Sequence, residues 1–283
     1  MGTDAGTTGT RHEVSTPEAW DAIAAGYDEF VAPGEAQFAH AGLALAGLAP
    51  GDRFLDVAAG TGGLSLPAAR LGARVLATDW SPVMQERFRA RVREEGLDAE
   101  ARVMDAHALD VEDDGFDVTG SQFGVMLVPD QPVALREMVR VTRPGGRVLL
   151  IAYGSPAEFE ALQLFIAALR VVLPGFEGLP EDPPPPEFQV ADPDVLRRRL
   201  TDAGLRDVSV ETTLQERIEV RSGQDLWNWM LGSNPITGAI VGDLTADQQA
   251  TVRKVLDGMI RDRSGGTGPA VLTAPLNIGV GTA

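Results

Sequence analysis

The sequence predicts an α/β fold, a parallel sheet with helices on both faces. Three observations carry this. Short apolar runs alternate with helix-like segments from about residue 53 to residue 153. A glycine-rich turn follows the first of those runs, in "FLDVAAGTGGLSLPAAR". Carboxylates then sit at the ends of three successive strand candidates, Asp56, Asp79 and Asp105.

The segments read in order as follows. "TPEAWDAIAAGYDEF" opens with a capping threonine and a proline at the first helical position, and places Trp20, Ile23, Ala24 and Tyr27 on one face. A second helix spans about residues 36–47 and ends at the turn "LAPGD". "RFLDVA" is a buried strand, then come the glycine turn and a helix to about Leu71. "ARVLATDW" is a strand followed by a helix that Ser81 caps, Pro82 opens and Gly96 closes. "AEARVMDA" and "FDVTGSQFGV" are strands, "DQPVALREMVRVT" a helix, "RPGG" a turn and "RVLLIAY" a fifth strand. Beyond Gly154 the alternation loosens into the helix "PAEFEALQLFIAALRVVL", the extended proline-rich "PGFEGLPEDPPPPEFQ" and the helix "DPDVLRRRLTDAG". "DVSVETTLQERIEV" alternates like one strand. Two helices and a last strand, "AVLTAPLNIGVGTA", complete the chain.

Composition narrows the function. The chain of 283 residues has no cysteine, which removes disulfides, thiolate metal sites and cysteine nucleophiles. A net charge of −17 opposes a phosphate backbone, so no nucleic-acid partner is expected. No apolar run is long enough for a membrane span, and no secretory signal opens the chain, so the expected location is cytoplasmic. No metal-ligand cluster is visible.

The glycine turn is a near miss to a dinucleotide fingerprint. The phase gives Gly60 and Gly62, but Ser65 stands where a third glycine or alanine belongs. Asp56 would repel a pyrophosphate and suit a ligand with cationic groups. Asp79, 19 residues after Gly60, stands where a carboxylate accepts ribose hydroxyls.

With "LDVAAGTG", "ATDWSPVM", "VMDAHAL" and "LREMVRVTRPGGRVLLI" in this order, the sequence resembles the class I S-adenosylmethionine-dependent methyltransferases, in their quinone-biosynthesis C-methyltransferase-like group. The resemblance runs from about Trp20 to Tyr153. One departure is Ala58–Ala59, where the family often has Gly-Cys or Gly-Ala.

The resemblance implies a Rossmann-like sheet of seven mostly parallel strands, N-terminal helices and a helical insertion that forms a substrate lid. It divides the chain into a disordered tail (1–14), a helical lid (15–50), a cofactor-binding core (51–154) and a substrate-binding insertion with the final strands (155–283). The implied cofactor is S-adenosylmethionine. Gly60 and Gly62 would pack under its methionine part, with Ala58 in the same turn, and Asp56 would orient its amino group. Asp79 would bind the ribose hydroxyls, and Trp80 and Met84 would sandwich the adenine. Asp105 and the Ala106 amide would meet the exocyclic amine. Ser121 and Gln122 would line the sulfonium side, and Tyr27 would reach over the cofactor.

The acceptor is expected to be a small apolar or aromatic metabolite, of secondary metabolism, held by Phe123, Trp227, Trp229 and Met230 with Phe159, Phe165, Phe176 and Phe188 nearby. Trp227 and Trp229, two apart on a helix, would face different ways. No base is assigned; His40, His107 and Tyr27 are the candidates. A homodimer is allowed. Each residue also has a plain structural reading: turn or cap for the aspartates, packing for Tyr27, Trp80 and Phe123, a second core for the later aromatics. His12 reads as inert. Two other functions stay open: a fold of this kind that binds the cofactor but catalyses another reaction or serves as a partner protein, and a nicotinamide-dependent oxidoreductase, which Ser65 and Asp56 oppose.

Overall fold

The computed structural model describes residues 16–283. The tail predicted over residues 1–14 and His12 lie outside the described residues.

Five parallel strands form the first half of the sheet. They are β1 (Arg53–Val57), β2 (Arg74–Asp79), β3 (Ala99–Val103), β4 (Phe116–Gln122) and β5 (Thr142–Tyr153). Three strands joined by antiparallel pairing complete it, β6 (Arg206–Glu211), β7 (Gln215–Val220) and β8 (Ala270–Thr282); β8 runs against β5, and β6 and β7 run against β8. The order is β3-β2-β1-β4-β5-β8-β6, with β7 also paired to β8. Strand order reverses between β1 and β4, so a crevice opens beyond their C-terminal ends, where open α/β sheets take ligands.

The sheet has eight strands, one more than expected, because "DVSVETTLQERIEV" is interrupted. Glu211 pairs with Ile278 and Gln215 with Pro275, so three residues face two across the break. This bulge bends one alternating segment into β6 and β7 along the same edge of β8. A second difference lies at "RPGG", which belongs to β5 and is absorbed by a register irregularity against β4.

The N-terminal helix α1 (Pro17–Gly26) runs without a break through a π turn (Tyr27–Val31) into α2 (Ala32–Ala46). Thr16 caps α1, accepting from the Ala19 N–H at 3.3 Å. After α3 (Ser65–Arg70), α4 (Pro82–Glu95) is capped by Ser81 and closed by Gly96 at φ 64°, as its sequence predicts. Next come α5 (Gln131–Val141), α6 (Glu160–Val172), α7 (Pro193–Asp202) and α8 (Gly223–Ser233). The last two are α9 (Pro235–Gly242), a short helix the sequence reading did not separate, and α10 (Ala246–Ser264).

Two large apolar cores result, beside a small cluster of Leu66, Ala77 and Phe88. One lies between the sheet and its flanking helices, around Phe54, Leu55, Leu149 and Ile151. The other lies among α6, α8, α10 and the first half of β8, around Phe165, Leu226, Leu256 and Leu272. β8 serves both: Ala270–Pro275 pairs with β7, and Leu276–Thr282 with β5. Among the described residues, no helix is long and apolar enough to cross a membrane.

Candidate functional site

A single cleft runs from the C-terminal ends of β1, β2 and β4 to the underside of the helical cover. Its sheet end is polar. Asp56 is 1% exposed at the end of β1. Its Oδ2 accepts from the Ser65 hydroxyl at 2.6 Å, while Oδ1 is buried without a partner. Burial, opposed by the Ser65 bond, pushes its carboxyl up to about 7. Ser65, the residue that breaks the dinucleotide pattern, is therefore the partner of the carboxylate that the pattern did not ask for.

Asp79 ends β2. Its Oδ1 accepts from the Ser81 N–H at 2.8 Å and its Oδ2 from the Gly60 N–H at 2.9 Å. Burial raises its carboxyl to about 6, less than Asp56, because these main-chain donors favour the charged form. Gly60 has φ 56° and lines the cleft, and the bond from its N–H ties the glycine turn to the β2 end. Ala58 in the same turn has φ 55°, a left-handed conformation in which glycine is at ease and alanine is strained. Trp80, Met84, Met104, Asp105 and Ala106 continue the wall.

At the other end the wall is apolar and aromatic. Phe123 stacks on Tyr153 with ring centroids 4.4 Å apart, and Tyr153 lies 4.7 Å from Phe159. Phe165, Phe176, Phe188, Trp229 and Met230 also line it. Phe123 has φ 55°, a strained conformation for a bulky side chain.

Several predicted site residues lie elsewhere. Gly62 packs against the Phe88 ring of α4, and Gly63 takes the place at the cleft. Ser121 caps the turn after β4, accepting from the Val125 N–H at 3.0 Å, outside the wall. Trp227 packs on Phe165, with the Arg253 guanidinium 5.4 Å over its ring, whereas Trp229, two residues on, faces the cleft. His40 is exposed, bonded to the Ala36 carbonyl at 3.0 Å. His107 is a strut: Nδ1 meets Asp105 at 2.6 Å and Nε2 accepts from the Asp130 N–H at 3.2 Å. Neither histidine lines the cleft.

Tyr27 does line it, with a partner that the sequence reading missed. Its hydroxyl donates to Glu35, which is 2% exposed and also lines the cleft. Burial is the main cause that pushes the Glu35 carboxyl up to about 8. A second such pair joins the Tyr153 hydroxyl to Glu216 at 2.9 Å, and burial raises Glu216 to about 7. Both acids carried a visible signal. Glu35 shares a helical face with Phe38, Ala39, Gly42, Leu43 and Ala46, and Glu216 alternates with Ile218 and Val220. A carboxylate in an apolar stripe is the informative exception. Among the described residues, no group of three or more acidic or histidine side chains could hold a metal ion.

Residues 55–150 match the family model described as a methyltransferase domain. An uncharacterized protein of Mycobacterium tuberculosis is 43% identical over 128 residues, 45% of this chain and 47% of that protein. The chain thus spans about half the length of that relative. A demethylmenaquinone methyltransferase of Mycobacterium sp. (strain KMS) is 35% identical over 167 residues, 58% of this chain and 69% of that protein. Phosphoethanolamine N-methyltransferase 2 of Haemonchus contortus, solved with S-adenosyl-L-methionine, has a TM-score of 0.53 at 17% identity, covering 87% of this chain and 52% of that one. That likeness is one of fold.

Proposed function

The chain belongs to the S-adenosylmethionine-dependent methyltransferase family, and on that premise we propose that it methylates a small apolar or aromatic metabolite by direct displacement. The observation that carries this reading is the continuity of the cleft. One wall joins Asp56, Gly60 and Asp79 to Phe123, Phe159 and Trp229.

The residues present fit the cofactor. The Asp56 Oδ1 lacks a partner, and an ammonium would supply one. Asp79 keeps lone pairs beyond its two main-chain bonds, which suits a diol. Trp80, Met84 and Ala106 line the cleft with apolar groups that suit an adenine, and Asp105 lines it beside them. The Gln122 Oε1 is also buried without a partner, and Gln122 lines the cleft. S-adenosylmethionine supplies a methyl group already activated by a positively charged sulfur.

The protein's remaining tasks are orientation and exclusion of water, and orientation alone is worth roughly 7–11 kcal/mol. The apolar end supplies both, because the aromatic side chains leave an acceptor few orientations. The relative named for demethylmenaquinone supports an aromatic, quinone-like ring as the acceptor. The net charge of −17 argues against a nucleic acid.

Calorimetric titration tests the reading. Micromolar binding of S-adenosylmethionine, with none of NADH, is expected. Binding of NADH alone would return the chain to dinucleotide chemistry. Binding of S-adenosylmethionine with no transfer to any quinol or phenol would favour a fold that uses the cofactor for another purpose.

A further inference from the structure

We propose that Glu35 is the proton store of the site: it takes the acceptor's proton through the Tyr27 hydroxyl, and it surrenders its own proton when a cationic methyl donor enters the cleft. This rests on the reading above and deepens it, since it makes the acceptor a protic group such as a phenol, an enol or an ammonium.

The geometry begins with the π turn. Residues Tyr27–Val31 join α1 to α2, and the segment places the Tyr27 hydroxyl on the Glu35 carboxyl, eight residues later, with both in the cleft wall. Turns of this type gather at functional sites. The Glu35 carboxyl also abuts the glycine turn. A Cβ on Gly63 would collide with Glu35 Oε2 and stand 3.0 Å from Gln122 Nε2. The acid therefore touches the loop that forms the sheet end of the cleft.

The groups that face Glu35 are Tyr27 from the π turn, Asp56 from β1, Tyr153 from β5, Glu216 from β7 and Arg91 from α4. Arg91 is occupied, bonded to Asp28 at 2.6 Å and to the Thr61 carbonyl at 3.3 Å. Among the described residues, no cationic side chain forms an ion pair with Glu35. A buried carboxyl without a counter-ion, beside two other acids, keeps its proton. A cation brought into the same cleft favours the ionised form.

The cycle then closes. Glu35 loses its proton to solvent as the cation is taken up. In the transfer, the acceptor's bond to hydrogen breaks and its proton passes to the Tyr27 oxygen, while the Tyr27 hydroxyl proton passes to Glu35. The acceptor's electron pair forms the bond to the methyl carbon. The carbon–sulfur bond breaks, its electrons stay on sulfur, and the sulfur becomes neutral. Glu35 is again neutral beside a neutral thioether, its state before the reaction.

The test compares two nucleosides that differ in charge at sulfur. S-adenosylmethionine and S-adenosylhomocysteine are titrated into the protein in buffers of different ionisation enthalpy, at about pH 6 to 7. Release of about one proton more with the sulfonium than with the thioether is expected, since both carry the ammonium that Asp56 would meet, and Glu35→Gln is expected to abolish that excess. Tyr27→Phe should keep the excess and lose turnover of a phenolic acceptor. No variant is needed for the second measurement: the ratio of the two affinities should rise about tenfold per pH unit over this range. Equal release with both nucleosides, an undiminished excess in a folded Glu35→Gln protein, or a flat ratio would each overturn the proposal. If neither nucleoside binds, the proposed function itself fails, and the two failures are thus distinct.

Discussion

The sheet end of the cleft and its helical cover hold their polar groups in opposite ways. At the sheet end, main-chain N–H groups and one neighbouring hydroxyl do the holding. Asp79 is bound by two main-chain N–H groups, and Asp56 by a serine nine residues on. Under the cover, side chains hold one another. Tyr27 is paired to Glu35, and Tyr153 to Glu216, 63 residues away in sequence. The first arrangement is set as soon as strand, turn and helix form. In the second, Tyr27 and Glu35 meet within one helical stretch, but Tyr153 and Glu216 meet only when β5 and β7 pack together. The sheet end is thus a preformed ligand edge, and the cover is an acidic, low-dielectric chamber whose charge state answers to what enters it.

The sharpest way to break this distinction is to disturb one close approach in each region. A Cβ on Gly124 would sit 2.5 Å from the Ala58 carbonyl oxygen, in the sheet-end wall. A Cβ on Gly223, at the start of α8, would collide with the Arg253 carbonyl oxygen of α10. Backbone atoms cannot yield cheaply, so each change to alanine should destabilise the fold by about 2–3 kcal/mol in chemical denaturation. Gly124→Ala should also weaken S-adenosylmethionine binding, whereas Gly223→Ala should leave it near the wild-type value. Equal loss of affinity in both would show that sheet end and cover form one rigid unit.

The next effect is a dependence of stability on pH. The carboxyls of Glu35, Glu216, Asp56 and Asp79 are raised to about 8, 7, 7 and 6, with burial the largest cause in each. A raised carboxyl binds its proton more tightly in the folded state. Stability from these groups is therefore fully present below their unfolded values, near pH 4, and is lost as pH rises through the folded values. The ligand-free protein should be a few kcal/mol less stable at about pH 8 than at about pH 5. The loss above about pH 7 should belong to the cover, and Glu35→Gln should flatten it. A stability that rises over this interval would contradict neutral buried acids.

How much of this was legible follows the same division. The Rossmann-like half could be read because its signals are local: Ser81, Pro82 and Gly96 bracket α4, Asp56 and Asp79 stand at the ends of β1 and β2, and Asp105, expected at a strand end, lies just past Val103 of β3. Ser65 could be read only as a defect, since its role depends on Asp56 turning back onto α3. Glu35 and Glu216 were passed over although each interrupts an apolar stripe. Their partners lie on other elements, and no spacing rule joins β5 to β7. Trp227 and Trp229 were rightly set on different faces, but only packing decided that Trp229 is the one at the cleft. The break between β6 and β7 was invisible because a bulge keeps the alternation on either side of it.

A smaller effect sharpens the sheet end alone. Asp79→Ala removes a charged acceptor of hydrogen bonds, worth about 2 kcal/mol, so affinity for S-adenosylmethionine should fall about thirtyfold in titration. Stability at neutral pH should also fall, by about 1–3 kcal/mol, because the Ser81 and Gly60 N–H groups lose their acceptor. An unchanged affinity would take Asp79 out of the ligand's reach and leave it as a tie between β2 and Gly60.

The smallest expected change is at Ala58, and it tests whether the strain in the turn serves the site. Its φ of 55° places the Cβ against the following carbonyl, at a penalty of about 1 kcal/mol that glycine does not incur. The Gly124 main chain lies against Ala58, so the alanine is packed there as well as strained. Ala58→Gly relieves the strain and gives up one methyl contact and some rigidity of the unfolded chain. The net gain should be a fraction of a kcal/mol, visible as a small rise in the denaturation midpoint. If stability falls instead, the methyl group contributes more through packing than the dihedral takes away. If stability rises while S-adenosylmethionine binds more weakly, the strained alanine is holding the turn in the shape the ligand needs, and the sheet end is preorganised at the expense of the fold.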